Sequence, residues 1–215
     1  MYERIKGVMD RVFALIGIIV IAPIYLVSIV LIRLDHQGKA IFKQDRVGKD
    51  GKIFSIYKFR TMKTTDVAFD VDHAVIEDDN PSLTKVGKVL RKFKIDETPQ
   101  LFNILRGEMS FIGPRPLMPV YLAEYEDWER EKFTVRPGLS GYAQTHGNGY
   151  LQKKSRSYYD VLYAREMSFG LDVKLFFKTF VVVVKGEEKC LKEVPQEEIE
   201  KMAKDYNQKA QAGNE

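Results

Sequence analysis

Between Arg11 and Arg33 the chain reads VFALIGIIVIAPIYLVSIVLI (residues 12–32), an uncharged run on which the whole architecture depends. A helix of about 21 residues is roughly 30 Å long, which matches the hydrocarbon core of a bilayer. The run is too long for a cleaved leader peptide, and no small-residue cleavage site follows it. It is also apolar on every face, whereas a helix in a soluble protein normally keeps one polar face. The sequence therefore predicts a membrane helix.

The topology of this helix has two interpretations. Pro23 lies near its centre, removes one backbone donor and predicts a kink. Basic residues flank the run on both sides: Arg4, Lys6 and Arg11 before it, and Arg33, Lys39 and Lys43 after it. The positive-inside rule would place both ends in the cytoplasm. A re-entrant helix that breaks at Ala22-Pro23 satisfies both observations, and a kinked spanning helix satisfies the first.

Bulk composition limits the class of protein. The chain has 215 residues, 45% of them hydrophobic and 30% charged, with a net charge of +4. The small basic excess suits a nucleotide, an anionic lipid or a nucleic acid, without choosing among them. Cys190 is the single cysteine, which excludes an internal disulfide and a zinc site built from several thiolates.

The remaining sequence predicts an α+β, mostly helical protein with a short β-hairpin. Strands are expected at residues 40–46 and 52–58, joined by an Asp50-Gly51 turn. Residues 63–82 are polar and acidic and predict a solvated loop; a carboxylate metal cluster around His73 is the alternative. We divide the chain into a membrane helix (1–36), a catalytic domain (37–186) and a polar C-terminal tail (187–215).

Helices are predicted at several places after the hairpin. Residues 83–93 form an amphipathic pattern, suited either to a lipid headgroup surface or to an ordinary protein surface. A helix is expected from Thr98 or Pro99 to Arg106, with Gly107 as its C-cap. Others are expected at 118–133, at 168–184 as an interfacial helix (a core helix, or a strand at 181–184, being the alternative), and as a short helix after Pro195.

Asp96 and Glu97 are the candidate catalytic pair. They immediately precede the predicted Pro99 helix, where free N–H groups and the helix dipole favour anions and keep a carboxylate ionised. Adjacent carboxylates can also share a divalent cation, so the pair could supply a nucleophile and a metal ligand. Simple helix capping explains the same residues without any chemistry.

Cationic residues near this pair predict a binding site for a polyanion. Arg115 and Arg136 lie on loops stiffened by proline, so each would lose little freedom on gripping a phosphate. Either loop alone could be a structural turn. Together with Lys58, Arg60 and Arg91, they indicate a phosphate-binding site.

Five motifs resemble the bacterial sugar transferases, in particular the small monotopic phosphoglycosyl transferases. They occur in this order: QDRVG (44–48), KFRTM (58–62), DETPQLFN (96–103), MSFIGPRP (109–116) and RPGLSG (136–141). The resemblance covers residues 2–185. It departs at His146-Gly147-Asn148-Gly149, so this loop predicts nothing about the choice of sugar.

The resemblance implies a mechanism and a location. Asp96 attacks the β-phosphate of a UDP-sugar, UMP leaves, and polyprenol (undecaprenyl) phosphate takes the sugar phosphate from the enzyme. Mg²⁺ is required, with Asp96 and Glu97 as its protein ligands, and Arg91 and Arg115 lie near the phosphates. The helix is re-entrant at Ala22-Pro23, and interfacial helices surround an active site on the cytoplasmic face of the bacterial inner membrane. The reaction is the first membrane step of glycoconjugate assembly.

Two rival functions stay open at this point. A membrane-anchored module could bind anionic lipid or nucleic acid without catalysis, although no nucleic-acid motif is present and we expect no nucleic-acid partner. An aspartyl phosphatase could act on lipid phosphates. The sequence predicts neither the sugar, the polyprenol length, the oligomeric state nor the pathway served.

Overall fold

The computed structural model describes residues 1–35, 38–63 and 80–212. Six α-helices and four strands run through these residues in one chain order. They are α1 (Tyr2–Asp35), β1 (Ile41–Val47), β2 (Ile53–Phe59), α2 (Lys85–Lys92), α3 (Leu101–Arg106), β3 (Ser110–Ile112), β4 (Gly138–Ser140), α4 (Lys153–Glu166), α5 (Phe169–Lys185) and α6 (Gln196–Ala212). Short 3₁₀ helices connect several of them. The fold is mostly helical, as predicted.

The predicted hairpin is confirmed within one residue at each end. β1 and β2 are antiparallel, with Ile41 opposite Phe59 and Val47 opposite Ile53. Asp50 and Gly51 both adopt positive φ, at 56° and 73°, as a tight hairpin connection requires.

Helix α1 is long and apolar enough to cross a membrane, judged by length and composition. It continues through Pro23 and does not end there. Both of its halves pack against the rest of the protein: Ala14 joins a core cluster with Leu101 and Ile104, and Ile32 joins another with Phe59. Large apolar side chains on the other side of the helix are exposed, among them Ile19, Val20 and Leu26. The helix is therefore half core element and half apolar surface.

Polar contacts also fasten both ends of α1 to the same domain. Near the start, the Lys6 ammonium lies 2.5 Å from a carboxylate oxygen of Asp172 on α5. At the other end, the backbone N–H of Val86 on α2 donates to the Asp35 carboxylate at 3.0 Å. The tertiary structure thus holds the helix along its whole length.

Two of the five motifs meet at glycines. β3 and β4 form a short parallel pair, and a Cβ on Gly138 would lie 2.1 Å from the Gly113 nitrogen. A Cβ on Gly141 would lie 2.0 Å from the Gly113 oxygen. No side chain fits between these backbones, so the glycines let the loop carrying Arg115 dock against the loop after Arg136.

Asn103 joins α3 to the hairpin. Its side-chain oxygen accepts from the Tyr57 backbone N–H at 3.1 Å, and its amide nitrogen donates to the Ser55 carbonyl at 2.8 Å. Asn103 is fully buried, so these bonds are made away from water. The last residue of the DETPQLFN motif therefore fixes the segment that carries Asp96 against β2.

Some sequence predictions need correction. Residues 118–133 do not form one helix but two 3₁₀ helices, Pro119–Glu124 and Asp127–Thr134, because Tyr125 is extended and a Glu126–Glu129 capping box starts the second. The apolar face of α2 does not lie open to lipid: Leu83 and Leu90 are buried in the protein.

Other differences lie towards the C-terminus. Helix α4 was not predicted. Helix α6 is 17 residues long, not short, and packs Ile199 and Met202 against α4 and Trp128. Helix α5 confirms the predicted helix at 168–184, with the Ser168 hydroxyl as its N-cap, and 181–184 is not a strand. Most of the predicted acidic loop, including His73, lies outside the described residues.

Candidate active site

Asp96 and Glu97 lie inside a 3₁₀ helix, Ile95–Gln100, that leads into α3. The prediction that they precede a helix N-terminus is therefore wrong: Lys94, in a left-handed conformation, precedes the turn, and α3 starts only at Leu101. Asp96 is 8% exposed. Its ionisation is consequently governed by burial and by neighbouring charges, and not by a helix dipole.

Glu97 is paired with the lysine of the KFRTM motif. The Lys58 ammonium donates to a Glu97 carboxylate oxygen at 2.6 Å, and both side chains are about one-fifth exposed (21% and 22%). Burial opposes the ionisation of Glu97, but the positive charges of Lys58 and Arg115 outweigh it and lower the pKa of Glu97 to about 2. Glu97 is a carboxylate at any physiological pH.

Asp96 has the opposite environment. Burial raises the pKa of Asp96, and the negative charge of Glu97 raises it further, against the attraction of Lys58 and Arg91. One of its oxygens, Oδ1, is buried and has no hydrogen-bond partner among the described residues. A buried carboxylate oxygen without a partner is costly to leave in that state, so Asp96 is suited to contact a ligand.

Both carboxylates open onto a cavity of about 870 Å³, near the upper end of the range of roughly 300–1,000 Å³ for small-molecule sites. Four of the five predicted phosphate-binding residues line it: Lys58, Arg60, Arg91 and Arg115. The structure therefore brings together the cations of three motifs and the dyad, which are far apart in the chain. Arg60 also donates through Nε to the Lys39 carbonyl at 2.9 Å.

Arg136 lies outside this cavity. Its guanidinium lies 3.6 Å from the Asp10 carboxylate and donates to the Glu3 carbonyl at 3.4 Å. The atoms that would grip a phosphate are thus directed at the first turns of α1. Its observed contacts fasten the membrane helix to the RPGLSG loop.

Three further cavity residues were not identified from the sequence. Arg46, Arg156 and Gln144 all line the cavity and all carry buried side-chain atoms without hydrogen-bond partners among the described residues. Burial and the nearby Arg115 lower the pKa of Arg46 to about 10, and act in the same direction on Arg156. Three guanidiniums held near one another without carboxylate partners form a site for a multiply charged anion.

Signals for these three residues were uneven. Arg46 is part of the QDRVG motif, which could have identified it. Gln144 belongs to the turn after RPGLSG, which drew attention only through its glycines. Arg156 lies on α4, whose apolar residues are spread around the helix, so nothing in the periodicity marked it.

The opposite wall of the cavity is apolar. Helix α5 contributes Phe176, Phe180 and Val183, and the hydroxyls of Thr179 and Ser140, 2.6 Å apart, hold that helix against β4. The cavity therefore has a cationic side with a carboxylate pair and a hydrocarbon side.

A polar bridge closes one edge of the cavity. The Lys94 ammonium lies 2.7 Å from one oxygen of Glu187, and the Asn148 amide donates to the other at 3.0 Å. All three residues line the cavity. The bridge connects the residue before the dyad to the end of α5 and to the unusual loop at residues 146–149.

The donor set fits a hard divalent cation only in part. Within the described residues no group of three or more His, Cys, Asp or Glu side chains could enclose a metal. Mg²⁺ commonly binds through one or two carboxylates, several waters and the phosphates of a substrate, and the unpartnered Oδ1 of Asp96 suits that arrangement.

Known proteins share this sequence over most of its length. A family model described as bacterial sugar transferase matches residues 1–186. The chain is 39% identical over 191 residues to the UDP-N-acetylgalactosamine-undecaprenyl-phosphate N-acetylgalactosaminephosphotransferase of Aeromonas hydrophila, an alignment that covers 86% of this chain and 45% of that protein.

Two other relatives differ in length. The uncharacterized sugar transferase EpsL of Bacillus subtilis is 37% identical over 183 residues, covering 85% of this chain and 89% of EpsL. The UDP-glucose:undecaprenyl-phosphate glucose-1-phosphate transferase of Escherichia coli is 35% identical over 183 residues, covering 81% of this chain and 39% of that enzyme. The chain thus spans less than half of two relatives and most of the third. With four-fifths or more of its residues aligned in each case, and the whole of residues 1–186 matched by the family model, the chain belongs to the bacterial sugar transferase family.

Proposed function

We propose that the protein transfers a sugar 1-phosphate from a UDP-sugar to polyprenol phosphate and releases UMP. One observation carries the proposal: the buried, unpartnered carboxylate of Asp96 opens onto a cavity that is cationic on one side and hydrocarbon on the other. A nucleotide diphosphate sugar matches the cationic side, and a lipid phosphate matches both. The names of the Aeromonas and E. coli relatives, each an undecaprenyl-phosphate sugar phosphotransferase, support this choice.

The first half of the reaction consumes the nucleotide sugar. A carboxylate oxygen of Asp96 attacks the β-phosphorus, a new O–P bond forms, and the bond from that phosphorus to the bridging oxygen breaks. The bridging oxygen leaves with the electron pair as part of UMP, and the sugar phosphate stays on Asp96 as an acyl phosphate. Asp96 must be ionised to attack, so its raised pKa restricts the reaction to pH values above it.

The second half regenerates the enzyme. A phosphate oxygen of the polyprenol phosphate attacks the same phosphorus, and the bond to Asp96 breaks. The Asp96 carboxylate is restored, and the product is a polyprenyl diphosphate sugar. Lys58, Arg91 and Arg115 neutralise phosphate charge in both halves, which is the main contribution a protein makes to phosphoryl transfer.

Mg²⁺ is part of the proposal. When bound between the dyad and the phosphates, it would supply positive charge where the leaving phosphate develops negative charge. Glu97, ionised at all physiological pH values, and the free oxygen of Asp96 are the protein groups that would hold it. The Lys58–Glu97 pair keeps the Glu97 carboxylate in one position.

Dependence on the metal is directly measurable. We expect UMP release to fall to background after exhaustive chelation and to return on adding Mg²⁺. A hard cation with oxygen ligands also predicts that Mn²⁺ substitutes better than Zn²⁺. Undiminished turnover in chelator would contradict the assignment.

We also propose that α1 is re-entrant, with the active site on the cytoplasmic face of the bacterial inner membrane. A helix that crosses the bilayer would separate its two ends by the membrane thickness. Here residues near both ends, Lys6 and Asp35, contact one domain, and core residues of both halves pack into it. This favours a helix that enters and leaves on the side of the domain, where soluble UDP-sugars are made.

Single-turnover chemistry tests the reaction. Purified protein incubated with a panel of UDP-sugars, without acceptor, should release at most about one UMP per active site. Mass spectrometry should find a sugar-phosphate adduct on the peptide that carries Asp96. Asp96→Asn should abolish both. A non-catalytic lipid-binding module would release no UMP, and a lipid phosphatase would release inorganic phosphate without any nucleotide.

A further inference from the structure

Helix α5 divides its exposed apolar side chains between two stripes. Phe176, Phe180 and Val183 line the cavity that contains Asp96. Phe177 and Val184 are also exposed but are not among the lining residues. The two stripes have similar exposure, with Phe180 at 57% and Phe177 at 64%, so they differ in what they face and not in how far they are buried.

The inner stripe has no use for a nucleotide sugar. A UDP-sugar carries charge and hydroxyl groups, and its phosphates fit the cationic wall formed by Lys58, Arg91 and Arg115. Three large hydrocarbon side chains on the opposite wall would gain nothing from such a molecule. They would gain from an apolar chain, since burial of hydrocarbon is favourable in proportion to its area.

Helix α1 does not offer a second apolar route. None of the residues lining the cavity belongs to α1, although that helix carries many exposed apolar side chains. Among the described elements, α5 combines an apolar outer surface with an apolar cavity wall. An amphiphile lying in the membrane could therefore reach the dyad along α5 without leaving an apolar surface.

We propose that the Phe176–Phe180–Val183 stripe binds the first isoprene units of the polyprenyl phosphate acceptor and guides its phosphate to Asp96. This inference rests on the proposed function, in which the acceptor must reach the phosphorus atom that UMP has just left. The Phe177 stripe contacts bulk lipid. The Thr179–Ser140 hydrogen bond and the edge-to-face packing of Phe176 on Phe180, with ring centroids 5.1 Å apart, fix the binding wall.

The two half-reactions separate this site from the nucleotide site. Phe180→Ser should leave the UMP burst with UDP-sugar alone unchanged, because the donor does not contact the stripe. It should raise the KM for undecaprenyl phosphate about tenfold, which corresponds to about 1.4 kcal/mol of lost binding. Phe180→Leu should restore most of the lost affinity, since it restores hydrocarbon.

Phe177→Ser is the matched control. It changes the same residue type on the same helix with similar exposure, so it has the same effect on membrane attachment in a nanodisc of fixed lipid composition. Its KM for undecaprenyl phosphate should stay near the parental value. Dimethylallyl phosphate, a soluble five-carbon acceptor, should react equally well with both serine variants and the parent, because it is too short to use the stripe.

Each outcome has a distinct meaning. An equal rise in KM for the Phe180 and Phe177 variants would show that α5 only anchors the protein and would overturn the proposal. A reduced UMP burst in Phe180→Ser would assign the stripe to the donor and overturn it as well, as would an unchanged KM. Absence of any UMP release from the parent protein would instead refute the proposed function itself.

Discussion

At the scale of single residues, Asp96 and Glu97 differ more than their adjacency suggests. Lys58 holds one of them as a permanent carboxylate, while burial and that same carboxylate oppose the charge on the other. Asp96 therefore carries a cost in the unliganded protein that a phosphate-bound metal or a covalent bond would relieve. Such local cost is common where proteins have been selected for activity.

This difference predicts opposite effects on stability. The folded-state pKa of Asp96 is raised, so its contribution is favourable below its unfolded pKa and is lost as pH rises through the folded value. At neutral pH the charge is a penalty. Asp96→Asn should therefore raise the melting temperature of the ligand-free protein by a few degrees, at about 2–4 °C per kcal/mol for a chain of this size.

Glu97→Gln should act in the other direction. The pKa of Glu97 is lowered from 4.5 to about 2, so its stabilising contribution is present above 4.5 and is lost as pH falls through that interval. Removing the charge also leaves Lys58 unpaired. We expect a loss of about 1–2 kcal/mol at pH 7, less than for a fully buried pair because both side chains are partly exposed. Thermal unfolding in detergent, with Asp96→Asn as the paired measurement, checks the sign; a lower melting temperature for both would contradict the account.

Residue types in motifs predicted much of the site, and lone residues did not. Lys58, Arg60, Arg91 and Arg115 could be assigned to one cavity because each is a cation in a chemically unusual segment. Arg136 has the same appearance in the sequence, yet it pairs with Asp10 and lies outside the cavity. A single sequence does not distinguish a phosphate ligand from a structural ion pair, since both require an arginine on a stiff loop.

At the scale of elements, prediction succeeded where the pattern is local. The hairpin follows from Asp50-Gly51 and its flanking strands, and Gly107, with φ of 81°, ends α3 as expected. The break in residues 118–133 depends on the Glu126 capping box, which competes with a continuous helix. Helix α4 escaped notice because its buried residues include Ser155, Ser157 and Asp160, so burial does not follow hydrophobicity there.

The topology of α1 is testable at this scale. We expect cysteines placed singly at Arg4 and Lys39, both exposed, to resist an impermeant thiol reagent in intact cells and to react after permeabilisation. The background should carry Cys190→Ser to remove the native thiol. Labelling of one position alone in intact cells would establish a spanning helix and contradict the re-entrant proposal. Pro23→Ala should shift the helix towards spanning, so that one of the two positions becomes labelled.

At the scale of the whole molecule, the cavity is a product of distant segments. Its walls come from the hairpin, the dyad turn, the loop of Arg115, helix α4 and helix α5, which span most of the chain. Composition and periodicity describe each segment alone, so they cannot state which side chains of α5 face Asp96. That arrangement depends on tertiary contacts such as the Gly113–Gly138 approach and the Thr179–Ser140 bond.

The packing of α1 gives the protein a particular relationship to its membrane. Ala14 and Ile32, fully or almost fully buried, each complete a core cluster whose other members belong to the catalytic domain. The helix is thus not an anchor tied to an independent enzyme, and proteolytic release of a working soluble fragment is not open to this chain. Insertion into the bilayer and folding of the active site become one event, so a molecule that fails to reach a membrane is also a molecule without an enzyme.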